Sequence, residues 1–303
     1  MKKILSCLLL ITYLSFASED VDNTINPPLP QKKLEPQSLL QSSNNNPWVH
    51  SVGLINVYFG DGTLSQGFGA LLKDGFFITS ADLVFKNGYF PNKIDVKMQD
   101  DSAKPLICIA NLEVKAIDEE KGLALLKTQN FTDEYCHIRS ESFYHKRIYE
   151  LYYLDIFSHR VPMNIAYDIS KQDIQKKLFF PTILKQYSFD TQSIESEKRL
   201  FYFDPQREKN LFYALGIEKN SNIKIGNPFF DEQGNLIGIY TQTKYYRDPV
   251  IIHENIIKSF LCNLQANFKL DTWNKKDCKL FQDNLIENIK DIVQDADTQS
   301  RSH

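Results

Sequence analysis

The sequence predicts an all-β fold closed by C-terminal helices, and three observations carry that expectation. Short runs of β-branched and aromatic residues recur through the middle of the chain. Gly- and Asn-containing turn signals separate them at short intervals. Aromatic content is high, with 21 Phe and 15 Tyr, and these side chains fit a pleated, half-buried surface. Many short strands punctuated in this way argue for a barrel or a sandwich, not for alternating strand and helix units.

In chain order, residues 1–17 read MKKILSCLLLITYLSFA. Two lysines, a short apolar run and small residues at Ser15 and Ala17 make a secretory signal peptide, with cleavage expected after Ala17. The run is too short for a comfortable membrane span, so no integral membrane segment is expected after cleavage. Cys7 precedes most of the apolar run, whereas a lipid-attachment cysteine should follow it. Residues 18–46 are rich in Pro, Asn, Gln and Ser, and a flexible N-terminal segment is expected there. The β domain is expected over 47–265, starting at Pro47-Trp48.

Within it the first strand-like runs are Val52–Phe59, Phe68–Leu72, Phe76–Thr79, Lys93–Met98, Ile107–Ile117 and Leu123–Lys127. Tyr149–Ile156, Met163–Ile169, Leu200–Phe203, Leu211–Leu215 and Leu236–Thr241 follow. Turn signals fall at Asp61-Gly62, Lys73-Asp74-Gly75, Asn87-Gly88 and Gln233-Gly234-Asn235. A helix is expected over His253–Leu264. A second, over Cys278–Val293, places Leu280, Phe281, Leu285, Ile286, Ile289 and Ile292 on one packing face of a helical tail, 266–303. No internal repeat is visible.

The 303 residues carry a net charge of -3. No long-range field therefore favours nucleic acid or an anionic membrane. Beyond the leader the chain has Cys108, Cys136, Cys262 and Cys278. In an oxidising compartment they allow two bridges in three connectivities, the sequence neighbours Cys108–Cys136 and Cys262–Cys278 being the expected pairs and buried free thiols the alternative. No CxxC pair occurs, so no zinc, redox site or cofactor is expected.

Three blocks, in order, resemble the trypsin-like serine proteases, especially their bacterial HtrA/Deg branch. The first is GFGALLKDGFFITSADLV over 67–84, similar to the family's strand, turn, strand and Thr-x-x-His-Val-Val. Asp82 stands where the catalytic histidine belongs. The second is DEEKGLALLK over 118–127, similar to the family's Asp-Leu-Ala-Leu-Leu-Lys, with Gly122 in place of the aspartate. The third is IKIGNPFFDEQGNLIGI over 223–239, similar to Gly-Asn-Ser-Gly-Gly-Pro-Leu, a turn and a closing strand. Ile225 takes the nucleophile's place, within a degenerate oxyanion-hole region of Ile223, Lys224 and Gly226, and Asn227 replaces a second glycine. The resemblance covers roughly 48–265 and implies a two-barrel trypsin-like fold. The span from Gly122 to Ile225 is longer than the branch usually has, with an insertion expected between about 140 and 205. No PDZ-like domain is evident after 265.

A triad needs a hydroxyl nucleophile, an imidazole and an orienting carboxylate. Ile225 has no nucleophilic atom, Asp82 is a weak base, and Gly122 carries no carboxylate. Ile at 223 and 225 favours extended backbone over a glycine-permitted turn, so a collapsed or reshaped oxyanion hole is expected. Asp82 itself reads as a loop carboxylate. The histidines His50, His137, His145, His159, His253 and His303 show no diagnostic spacing to a Ser or Cys. Cys136 and His137, if in a strand, point to opposite faces.

The resemblance therefore implies an exported, catalytically inactive pseudoprotease, a binding or scaffold protein of the periplasm of a Gram-negative bacterium. Its expected partners are proteins of the cell envelope, including an envelope machine such as the flagellar motor, an expectation by analogy. The alternatives are a divergent periplasmic serine-type hydrolase and a chaperone-like peptide binder.

Overall fold

The computed structural model describes residues 47–99, 105–139, 143–158, 176–184, 188–201, 212–244, 246–268 and 276–279. The expected leader, the N-terminal segment, the Met163–Ile169 strand and most of the Cys278–Val293 helix lie outside them.

The described residues form two closed antiparallel barrels of six strands each. The first is built from β1 (Val52–Phe59), β2 (Leu64–Leu72), β3 (Phe76–Ser80), β4 (Pro91–Met98), β5 (Ile107–Asp118) and β6 (Leu123–Phe131). The second is built from β7 (Lys176–Leu184), β8 (Ser188–Phe201), β9 (Phe212–Ile217), β10 (Pro228–Phe230), β11 (Leu236–Thr243) and β12 (Tyr246–His253). Around the first ring the order is β1-β2-β3-β6-β5-β4, and around the second β7-β8-β9-β12-β11-β10. The topology is thus repeated although no sequence repeat is visible. Closure pairs every strand on both sides and leaves no edge to template aggregation.

Burial on both strand faces follows from that closure. In β3, Phe77 points into the first barrel with Leu71, Val96 and Ile109. Its neighbours Phe76 and Ile78 point the other way, into a core shared with the second barrel that contains Leu54, Phe68, Phe230, Ile239 and Ile252. The second barrel has its own interior of Leu178, Phe180, Phe229, Ile237 and Ile251.

Among the described residues the helices α1 (Ala81–Val84), α2 (Phe143–Tyr152) and α3 (Glu254–Phe268) join the barrels. Helix α3 seats Ile257, Phe260 and Leu261 in the shared core. The disulfide Cys108–Cys136 ties β5 to the turn after β6. Cys262–Cys278 ties α3 to the helical turn at 276–279. Both are the expected pairs.

Two local expectations are corrected. The run from Tyr149 is not a strand, because its first residues belong to α2. His145, Ile148, Tyr149 and Tyr152 repeat at helical spacing, and Ile148 and Tyr149 are buried against the first barrel. Tertiary packing overrides the β preference of Tyr and Ile. Cys136 likewise lies in a turn with φ +69°, not in a strand.

Candidate functional site

Position 82 is set by the end of β3. The strand stops at Ser80, α1 follows at once, and the Ala81 N–H donates to the Gly122 carbonyl at 2.8 Å. Asp82 therefore sits in a helical turn and not in the loop expected, with its side chain exposed. Desolvation by the surrounding protein pushes its carboxyl above the ordinary range, and the like charge of Glu119 adds to this.

Position 122 lies in the turn between β5 and β6. Gly122 has φ +67°, and a Cβ there would lie 2.2 Å from the Gln242 carbonyl oxygen and 2.8 Å from Thr241 Oγ1. The second barrel's β11 fills the space a side chain would need. The Gly122 carbonyl also accepts the Thr241 hydroxyl at 2.6 Å. With that proton committed, Ser80 Oγ is the donor in its 2.6 Å bond to Thr241 Oγ1. Ser80 and Thr241 are fully buried, so this serine is a structural tie and not an accessible nucleophile.

Position 225 meets the first barrel from the other side. The Phe68 N–H donates to the Ile225 carbonyl at 3.1 Å. A Cβ on Gly67 would lie 2.3 Å from that same carbonyl oxygen and 3.0 Å from the Leu83 methyls. The Ile225 side chain packs on the first barrel's interior cluster. Extended backbone was expected at this point, but Ile225-Gly226 form a turn. Gly226 takes the left-handed strain with φ +83°, and its missing Cβ leaves room for the Phe68 carbonyl, which a Cβ would approach to 2.0 Å.

An oxyanion hole needs free backbone donors converging on one point. Here Ile223 N–H donates to Asn220 O at 3.1 Å and Gly226 N–H to Tyr240 O at 2.7 Å. Asn227 N–H donates to Lys224 O at 3.1 Å, and Lys224 N–H to Asn227 Oδ1 at 2.8 Å. Asn227 Nδ2 donates in turn to Pro181 O at 2.7 Å. Sequence reasoning saw Asn227 only as a lost glycine. Its preference for satisfying nearby backbone groups was the available signal.

The structure thus brings positions 82, 122 and 225 onto one seam between the barrels, through Ala81–Gly122 on one side and Leu83–Gly67–Ile225 on the other. The histidines among the described residues are held by other groups, and His159 and His303 lie outside them. His50 contacts Gln99 O and stacks on Tyr152, and His137 contacts Asp133. His145 contacts Ile109 O, and the His253 ring accepts the Asn255 N–H. Among the described residues no group of three or more His, Cys, Asp or Glu is placed to hold a metal.

The repeated strand order and the two closed rings decide the architecture. The chain has a trypsin-like double-barrel fold. No family model matches the sequence, and no curated protein matches it significantly. Among solved structures it is similar to Deg5, at 14% identity and TM-score 0.43, over 73% of this chain and 90% of that one. It is also similar to the MamO protease domain of Magnetospirillum magneticum, at 15% identity and TM-score 0.43, over 70% of this chain and 96% of that one. A third is Rv3671c from M. tuberculosis in an inactive mutant form, at 12% identity and TM-score 0.42, over 73% and 92% of the two chains.

Proposed function

We propose that the protein is an exported, catalytically inactive trypsin-like pseudoprotease that works by binding partner proteins in the periplasm. One observation carries the loss of chemistry. The amides of Ile223, Lys224, Gly226 and Asn227 are donated inside the protein, on a segment whose nucleophile position is an isoleucine. Gly122, packed against Gln242, leaves no room for an orienting carboxylate. Triad hydrolysis uses the opposite of both features, free oxyanion donors and an orienting carboxylate. Export is supported by the leader-like residues 1–17 and by two disulfides, which persist in oxidising compartments. Among the described residues no helix is long and apolar enough to cross a membrane. A binding role is what a retained double-barrel scaffold offers once its chemistry is gone, and envelope proteins are the partners proposed.

The test is reaction of the purified chain with a fluorophosphonate serine probe, alongside cleavage of casein. No labelling and no cleavage are expected. Stoichiometric labelling of one serine, abolished by heat denaturation, overturns the reading in favour of a hydrolase.

A further inference from the structure

A cleft of about 420 Å³ opens on the outer side of the first barrel, between α2 and the β2–β3 turn. That volume is in the range of small-molecule sites. Its floor is aromatic: Tyr149 is buried and Phe131 is packed against the same cluster, with ring centroids 5.3 Å apart. The Tyr149 hydroxyl is hydrogen-bonded to Thr128 Oγ1 at 2.9 Å, and Thr128 Oγ1 also donates to the Gly75 carbonyl at 3.0 Å, which turns the phenol's polar end to the protein.

Lys127 reaches into this cleft and is half-buried. Its ammonium donates to the Asp74 carbonyl and lies 3.9 Å from the centroid of the Phe76 ring. Desolvation holds its pKa below the ordinary lysine value. A carbonyl and a ring solvate an ammonium but do not neutralise it. Lysines 73 and 146 also line the cleft, against Asp74 and Glu150, which leaves one net positive charge. Lys146 and Glu150 face each other at 3.9 Å on the exposed surface of α2, whereas Asp74 and Glu113 act on Lys127 only from beyond ion-pair distance, so Lys127 is the cleft lysine best placed to take an anion.

We propose that this cleft binds a small organic carboxylate, its anionic head on the Lys127 ammonium and an aromatic or branched apolar body on Tyr149 and Phe131. A single net charge suits a monoanion, because a dianionic phosphate would leave half its charge unmatched beside an apolar floor. A cation would meet the wrong sign. The site is independent of the seam and of the absence of proteolysis.

The experiment is calorimetric titration of the full chain with 3-phenylpropionate and, separately, with its neutral isostere 3-phenylpropionamide. The carboxylate should bind, and the amide should bind at least about tenfold more weakly. Lys127→Met should erase that preference, while Lys219→Met, an exposed lysine elsewhere, should keep it. In the wild-type protein the Lys127 side chain, followed by its Cε resonance, should titrate at higher pH with the carboxylate bound and be unmoved by the amide. That measurement decides the question even if Lys127→Met folds poorly. No carboxylate binding at millimolar concentration, equal binding of acid and amide, or an unmoved Lys127 resonance overturns the proposal.

Discussion

At the residue scale, glycine geometry decides how positions 122 and 225 are packed. Asp82, Gly122 and Ile225 were legible as the triad-equivalent positions of the resemblance, but the packing that fixes them was not. The Gly122 carbonyl and Cα are clamped by Thr241 and Gln242, residues about 120 positions away in sequence, and the amide partners Asn220 and Tyr240 carry no motif. The triple reversion Asp82→His, Gly122→Asp, Ile225→Ser should therefore gain no fluorophosphonate reactivity. Gly122→Asp alone should lower stability by about 2–4 kcal/mol, the range for strain plus a steric clash at a special backbone position, measured by urea denaturation.

Glu254 offers a second test at the same scale. Its carboxyl is buried and is pushed up to about 7 by that burial, with Lys258 pulling it back and Asp231 adding to the rise. A carboxyl whose folded pKa lies above its ordinary 4.5 stabilises the fold most when protonated. Its contribution is full below the unfolded pKa and is lost as pH rises through about 7. The thermal midpoint of the wild type should fall relative to Glu254→Gln between pH 5 and pH 8. A constant difference across that range would refute it.

At the element scale, the strands with clean alternation and nearby turn signals were legible, β1 and β3 almost to the residue. The second barrel's first hairpin was not. Strand β7 contains Pro181, which argues against a strand by itself, yet Pro181 pairs with Thr191 in a continuous ladder. Strand β8 reads SFDTQSIESEKRLF, too polar to announce itself. Helix α2 was missed because Tyr and Ile favour strands in isolation, whereas the spacing of His145, Ile148, Tyr149 and Tyr152 points to a helix. The disulfides belong to this scale too. The Cys262–Cys278 bridge closes a separation of 16 residues and anchors the described end of the chain to α3. Replacing both cysteines with serine should cost about 3 kcal/mol by loss of loop constraint, read as a lower denaturation midpoint, with a slope equal or steeper because the freed denatured chain expands. No change would place the anchoring elsewhere.

At the scale of the whole molecule, the two barrels share one core and are tied by backbone bonds from Phe68 to Ile225 and from Lys244 to Glu119. Such a seam couples their stabilities. Thermal unfolding followed by near-ultraviolet circular dichroism and by calorimetry should give one coincident transition. Two resolved transitions would show that the barrels stand alone. The double-barrel architecture was legible from three ordered blocks. The seam was not, since it joins segments more than 100 residues apart.

The shared core also sets an order of events during biosynthesis. The strands β1 to β6 leave the ribosome long before β10 to β12 and α3 exist. At roughly 5–20 residues per second, the interval between Ser80 and Glu254 is on the order of ten to thirty seconds. Through that time Val52, Leu54, Phe68, Ala70, Phe76 and Ile78 have no second barrel to cover them. A finished first barrel would present them as a sticky apolar face. The nascent first half is thus the stage at which this protein most needs a holding factor, and this strip is where such a factor would grip.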